Sequence, residues 1–249
     1  MAQTLSSDVF ASGNGNVLID SLVYEGLPLW TAETPTAGLT VTYAFMTTPL
    51  VPADNEEPIN DFAPLNATQQ AAVRLIYATS APLTGLNFEE TANPLTADIA
   101  FGTADLVDPA VMAFTMTGET IGKNADGATT LDRQDYVYFD NAEYGAVMGT
   151  PLPGSLGYET VLHEIGHTLG LDDTAYTQTL PAALDNTDYT VMSYNETDTY
   201  KSTFSVLDIQ TLQYLYADSG SIRSFGVIAV PAWPGVSAAP PLGATLAAG

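Results

Sequence analysis

The chain's only two histidines stand four residues apart in His163-Glu164-Ile165-Gly166-His167. On a helix, positions i and i+4 share a face, so the two imidazoles can aim at one point. Neutral imidazole is a preferred zinc ligand, and a glutamate directly after the first histidine can reach a metal-bound water. Gly170 stands three residues past His167, where a chain turning off the helix can bring a third ligand to the metal. Asp172 and Asp173 follow at once. Further on, Tyr189-Thr190-Val191-Met192-Ser193-Tyr194 holds a methionine in a stretch that can turn beneath a metal site. The chemistry open to such a set is metal-assisted hydrolysis.

These residues need a helix that ends in a turn and a sheet that holds the helix. Pro153-Gly154 breaks the chain before a helix expected from about Tyr158 to Leu169, and Gly170 suits a left-handed residue at its end. Residues 38–46 alternate apolar and polar side chains through a β-branched run, which marks a strand. A Pro- and acid-rich loop is expected over Pro49 to Pro64. Asn66 and Gln69 then form a capping-box-like start to a helix reaching about Ser80. Leu86 to Glu90, Ala97 to Phe101, Val111 to Met116 and Asp135 to Phe139 are strand candidates. A last helix spans Ser205 to Tyr216, with Asp208 placed as the third helical residue after its cap. Residues 1–37 read as an extended arm packed on the domain.

A length of 249 residues with 46% hydrophobic content fits one large domain or two small ones with a substantial core. The formal net charge is −24, from 29 acidic against five basic residues. Such a surface repels phosphate backbones and anionic lipid, so neither nucleic acid nor a membrane is an expected partner. It admits calcium as a second cation, although no D-x-[DN]-x-[DN]-G loop is there to hold it. No cysteine is present, no apolar run is long enough to span a bilayer, and no N-terminal signal peptide is visible. From residue 224 onward the chain carries no charge.

His163-Glu164-x-x-His167-x-x-Gly170 followed by Met192-Ser193-Tyr194 resembles the metzincin pattern, and the flanking sequence is similar to its serralysin branch of peptidase M10 type. The similarity extends to Asn14 through Leu22 and to residues 68–74, 97–102, 135–140 and 205–216. The resemblance implies an α+β zincin fold with a twisted, mostly parallel sheet and an antiparallel edge strand. It also implies long helices including the zinc helix, a Met-turn and a C-terminal helix. The protease domain would cover residues 1–220 and a Pro/Ala/Gly-rich tail residues 221–249. His163 and His167 would bind Zn2+, Glu164 would be the general base, and Met192 would form the Met-turn. Tyr194 would reach the zinc or steady the transition state.

The chain departs from that pattern twice. The third ligand position holds Asp173, as in the snapalysin-like variant, with Asp172 as its neighbouring competitor. The glycine- and aspartate-rich calcium repeats of serralysins do not occur. The implied activity is a zinc-dependent endopeptidase that hydrolyses protein substrates through a zinc-bound water activated by Glu164. The substrate would lie extended along an edge strand, with Val111 to Met116 as the candidate. The alternative is a catalytically weak or inactive metzincin-like domain serving as a binding or structural module. A gluzincin with Glu196 as ligand leaves Gly170 and the Met192 turn without a purpose. By the same resemblance the protein is expected outside the cell. Its oligomeric state is not legible.

Overall fold

Four parallel strands form the main run of one mixed sheet, in the order β4 (Asn87–Glu90), at its edge, β2 (Thr40–Phe45), β5 (Ile99–Asp105) and β7 (Thr129–Asp140). The computed structural model describes residues 3–4, 10–30, 39–55, 58–123, 125, 127, 129–174 and 180–216. The residues of β5 from Ile99 to Ala104 are all buried, as in a strand covered on both faces. Three antiparallel strands complete the sheet. β1 (Gln3–Thr4) pairs with β7, β3 (Asn60–Ala63) pairs with β5, and β6 (Ala113–Lys123) runs along β7 from Ala113↔Phe139 to Lys123↔Thr129.

Side-chain alternation divides this sheet between two clusters. Val41, Tyr43, Ile99, Phe101, Val137 and Phe139 belong to the main core, which they share with α2 (Ala67–Thr84), the short α3 (Gly145–Met148), α4 (Leu156–Thr168) and α5 (Val206–Leu215). Ala100, Tyr136 and Tyr138 face the other way, under Leu50, Ile59, Phe62 and Phe114. The start of α2 is fixed by Asn66, whose Oδ1 accepts the amides of Thr68 and Gln69, while Gln69 Oε1 accepts the Asn66 amide at 2.8 Å. The helix ends at left-handed Gly85, past the expected Ser80.

Three expectations need correction. The N-terminal arm is not extended throughout: Asn16 caps a short helix α1 (Val17–Asp20), because Leu18, Ile19, Leu22 and Val23 all find burial there. The loop expected over Pro49 to Pro64 contains β3, drawn onto β5 where Phe62 packs edge-on against Tyr138 at 6.5 Å. The strand expected at Val111 to Met116 begins only at Ala113, and it and the one expected at Asp135 to Phe139 belong to a much longer hairpin, β6 with β7. Its outer half is sustained by ladder pairing, with Glu119 and Ile121 exposed. The expected tail, residues 221–249, lies outside the described residues, as do 217–220. Among the described residues no helix is long and apolar enough to cross a membrane.

Helix α4 is fastened at its C-terminal end by three separate parts of the chain. Trp30 Nε1 donates to the Thr168 carbonyl at 2.7 Å, Tyr216 donates to the Leu169 carbonyl at 3.0 Å, and Arg133 on β7 also donates to Thr168. Arg133 is buried, paired with buried Asp135, bonded to the Pro28 carbonyl and stacked 4.3 Å over the Trp30 ring. A cation at the negative end of a helix is favourable. This fixes the axis along which the histidines project.

Candidate metal centre

Ser155 caps α4, and the helix turns Val161, Leu162 and Ile165 into the core while His163 lines a cleft and the half-buried His167 lies one turn further on the same face. His163 Nδ1 lies 2.9 Å from the Val191 carbonyl and His167 Nδ1 lies 3.0 Å from the Leu171 carbonyl. Carbonyls only accept, so each Nδ1 carries the proton and each Nε2 presents a lone pair. The two Nε2 atoms face each other at 3.1 Å. Asp173 Oδ1 sits 3.3 Å and 3.7 Å from them, buried and without a hydrogen-bond donor. Two lone pairs and an anionic oxygen converging with no hydrogen between them call for a shared cation. One atom from each residue comes together within 4.8 Å, a group that could hold a metal, and two imidazoles with a carboxylate suit zinc.

The turn after α4 decides which aspartate takes part. Gly170 has φ 95°, and Leu171 returns its amide to the Gly166 carbonyl. Asp172 then turns its carboxylate back onto the Asp173 amide, while Asp173 points to the histidines. The Tyr194 hydroxyl donates to Asp173 Oδ2 at 2.8 Å, and its ring lies 5.8 Å from that of His163. Burial pulls the His163 imidazolium down, but the neighbouring Asp173 carboxylate and the Glu164 charge push it up to about 9, so a positive charge, whether a proton or a metal ion, is held at its Nε2. The field at this point favours positive charge.

Met192 is fully buried against α4, so close that a Cβ on Gly166 would lie 2.8 Å from its sulfur. Its turn is held from behind by Asp208, in the first turn of α5. That carboxylate accepts from Thr190 Oγ1 at 2.5 Å, from the Val191 amide at 2.9 Å and from the Ser205 amide at 2.8 Å. Val191 in turn offers the carbonyl that orients His163. Asp185 adds a second tie, accepting from Thr174 and from Ser193.

Glu164 is buried, and its Oε2 accepts a hydrogen bond from Thr115 Oγ1 at 2.7 Å. Nothing in the sequence singled out Thr115. Only the β6 register turns Ala113 and Thr115 toward α4 and Phe114 and Met116 away from it. Residues 110–113, α4 and the Met192 turn enclose a cleft of about 230 Å³. Glu196 stands on its wall, outside the group of three ligand atoms. A second group, Asp105, Asp140 and Glu143, could hold a cation. There Asp140 already accepts the amides of Leu106, Ala142 and Tyr144, which accounts for its burial without an ion.

A partly buried cluster of two histidines and one carboxylate, with an adjoining glutamate, at a helix laid against a mostly parallel sheet, defines a candidate metallohydrolase site. Known relatives point the same way. The chain is 27% identical over 186 residues to a serralysin of Photorhabdus laumondii subsp. laumondii, covering 67% of this chain and 36% of that protein. It is 32% identical over 152 residues to a serralysin of Proteus mirabilis, covering 53% and 29%. It is 27% identical over 211 residues to the metallopeptidase AprA of Pseudomonas marginalis, covering 74% and 41%. No family model matches. The chain thus spans well under half the length of these relatives and is similar to one part of each.

Proposed function

We propose that this chain is a metzincin-type, zinc-dependent endopeptidase domain acting on protein or peptide substrates. The observation that carries the proposal is the convergence of His163 Nε2, His167 Nε2 and the donorless Asp173 Oδ1 beside Glu164 on a cleft wall. His163, His167 and Asp173 would hold the metal. When bound, zinc supplies Lewis acidity and lowers the pKa of water toward about 7.

Glu164 takes the proton of the attacking water and passes it to the leaving amine. Thr115 holds one oxygen of that carboxylate, leaving the other for the proton. Tyr194 is 69% exposed with its hydroxyl at the Asp173 carboxylate, a position from which it would donate to the developing oxyanion. Such a contact is worth about 3–4 kcal/mol in favourable cases. Among the described residues β6 pairs with β7 alone, so its second edge can accept an extended peptide by strand addition. A protease domain over residues 1–220 and action outside the cell belong to the same proposal.

Zinc analysis combined with hydrolysis of casein or a peptide, on the native chain and on Glu164→Ala, tests it. Zinc is expected in both, with hydrolysis lost in the variant by roughly 10²–10⁴-fold. Zinc bound to a native chain that cleaves nothing would favour a binding module instead.

A further inference from the structure

The cleft beside the histidines has a carboxylate in its wall that the reaction does not use. Glu159 lies one helical turn before His163, on the same face of α4. It is only 5% exposed, yet it lines the cleft. Its Oε2 accepts the Lys201 amide at 2.6 Å, and no other hydrogen bond reaches the side chain among the described residues. The Lys201 ammonium is engaged elsewhere, with Asp188 at 2.6 Å and with Thr197 and Thr199. Glu196, exposed on the same wall, adds a second negative charge. Val111, Met112, Leu156 and Val191 supply apolar surface between. An apolar passage with an acid in its wall matches a side chain with an aliphatic stem and a charged head.

We propose that this cleft is a specificity pocket for a cationic peptide side chain, lysine or arginine, with Glu159 as its charge partner. The inference rests on the proposed peptidase function and names its substrate class. An enclosed carboxylate whose neighbouring ammonium, Lys201, is ion-paired elsewhere is costly, and an incoming ammonium or guanidinium turns that cost into a hydrogen-bonded pair. Burial pushes the Glu159 carboxyl up and Glu196 adds to this, against the Lys201 amide and charge, so an arriving cation relieves a strained environment. The net charge of −24 steers cationic segments toward the molecule in the same sense.

Peptides that differ only in carrying lysine, norleucine or glutamate at either residue flanking the cleaved bond provide the test. At one of the two positions the zinc-loaded native chain should prefer lysine over norleucine by roughly tenfold or more in kcat/KM. In Glu159→Gln, which keeps an acceptor for the Lys201 amide, that ratio should collapse toward one. If the variant does not fold, the native ratio decides alone. A native ratio near one at both positions, or a ratio unchanged in a folded Glu159→Gln, overturns the proposal. If no peptide is cleaved at all, the same series with a reduced, uncleavable bond is read by calorimetric binding. A lysine preference there keeps the pocket while the peptidase function fails, and its absence removes the pocket.

Discussion

Thr115 and Glu164 come from elements that meet only in the folded chain, and their hydrogen bond sets the direction of the carboxylate proposed to transfer the proton. Removing the hydroxyl frees the carboxylate to rotate without touching His163, His167 or Asp173. Thr115→Ala is therefore expected to lower kcat roughly five- to tenfold, the kinetic equivalent of about 1–1.5 kcal/mol, with KM and zinc content unchanged. Thr115→Ser should restore most of the rate. A loss in KM instead, or no rescue by serine, would mean that the residue acts through packing. At this scale much of the centre was legible: His163 and His167 follow from i, i+4 spacing, and their Nε2 atoms do meet. Spacing favours Asp173 over Asp172, and it is Asp173 whose carboxylate lies beside the imidazoles. Thr115 and Glu159 stayed hidden because what they do depends on neighbours far away in sequence.

Among the elements, α5 and the Met192 turn act as one unit through Asp208. Burial pushes that carboxyl up to about 6, against the hydrogen bonds from Thr190, Val191 and Ser205. The ordinary value is near 3.8, so between about 4 and 6 the folded chain holds a proton that the unfolded chain has lost. Its contribution to stability therefore falls as pH rises through that window and stays at its lower level above it. Asp208→Asn does not titrate and can still accept both amides with its oxygen. Its melting temperature relative to the native chain is expected to rise between pH 4 and pH 6.5 and then level off. A difference constant across that range would count against the shifted carboxyl. The cap at Asp208 was readable from its place after Ser205, but its grip on the Met192 turn was not. The same holds for β3, whose acidic, proline-flanked sequence carries no strand signal until β5 offers it an edge. The outer half of the β6–β7 hairpin is likewise set by pairing, with little core burial behind it.

Across the whole molecule, the site depends on parts of the chain that never touch the cluster of His163, His167 and Asp173. Arg133 ties the N-terminal arm, the sheet and the end of α4 together, and Asp135 beneath it has no exposure to water. Arg133→Met should cost about 3–5 kcal/mol in denaturant unfolding, because it leaves a buried carboxylate with only Thr117 for support. Replacing Asp135 by leucine as well should recover much of that loss. A single-variant cost under about 1 kcal/mol would show the pair to be dispensable. All these ties serve one arrangement, in which two imidazoles and the Asp173 carboxylate converge with no hydrogen between them. Zinc-edge X-ray absorption on the metal-loaded native chain tests that arrangement most directly. The expected shell contains two imidazole nitrogens and a carboxylate oxygen, and loses the protein oxygen in Asp173→Ala. A native chain that retains no zinc, or whose zinc shows no imidazole scattering, would contradict it.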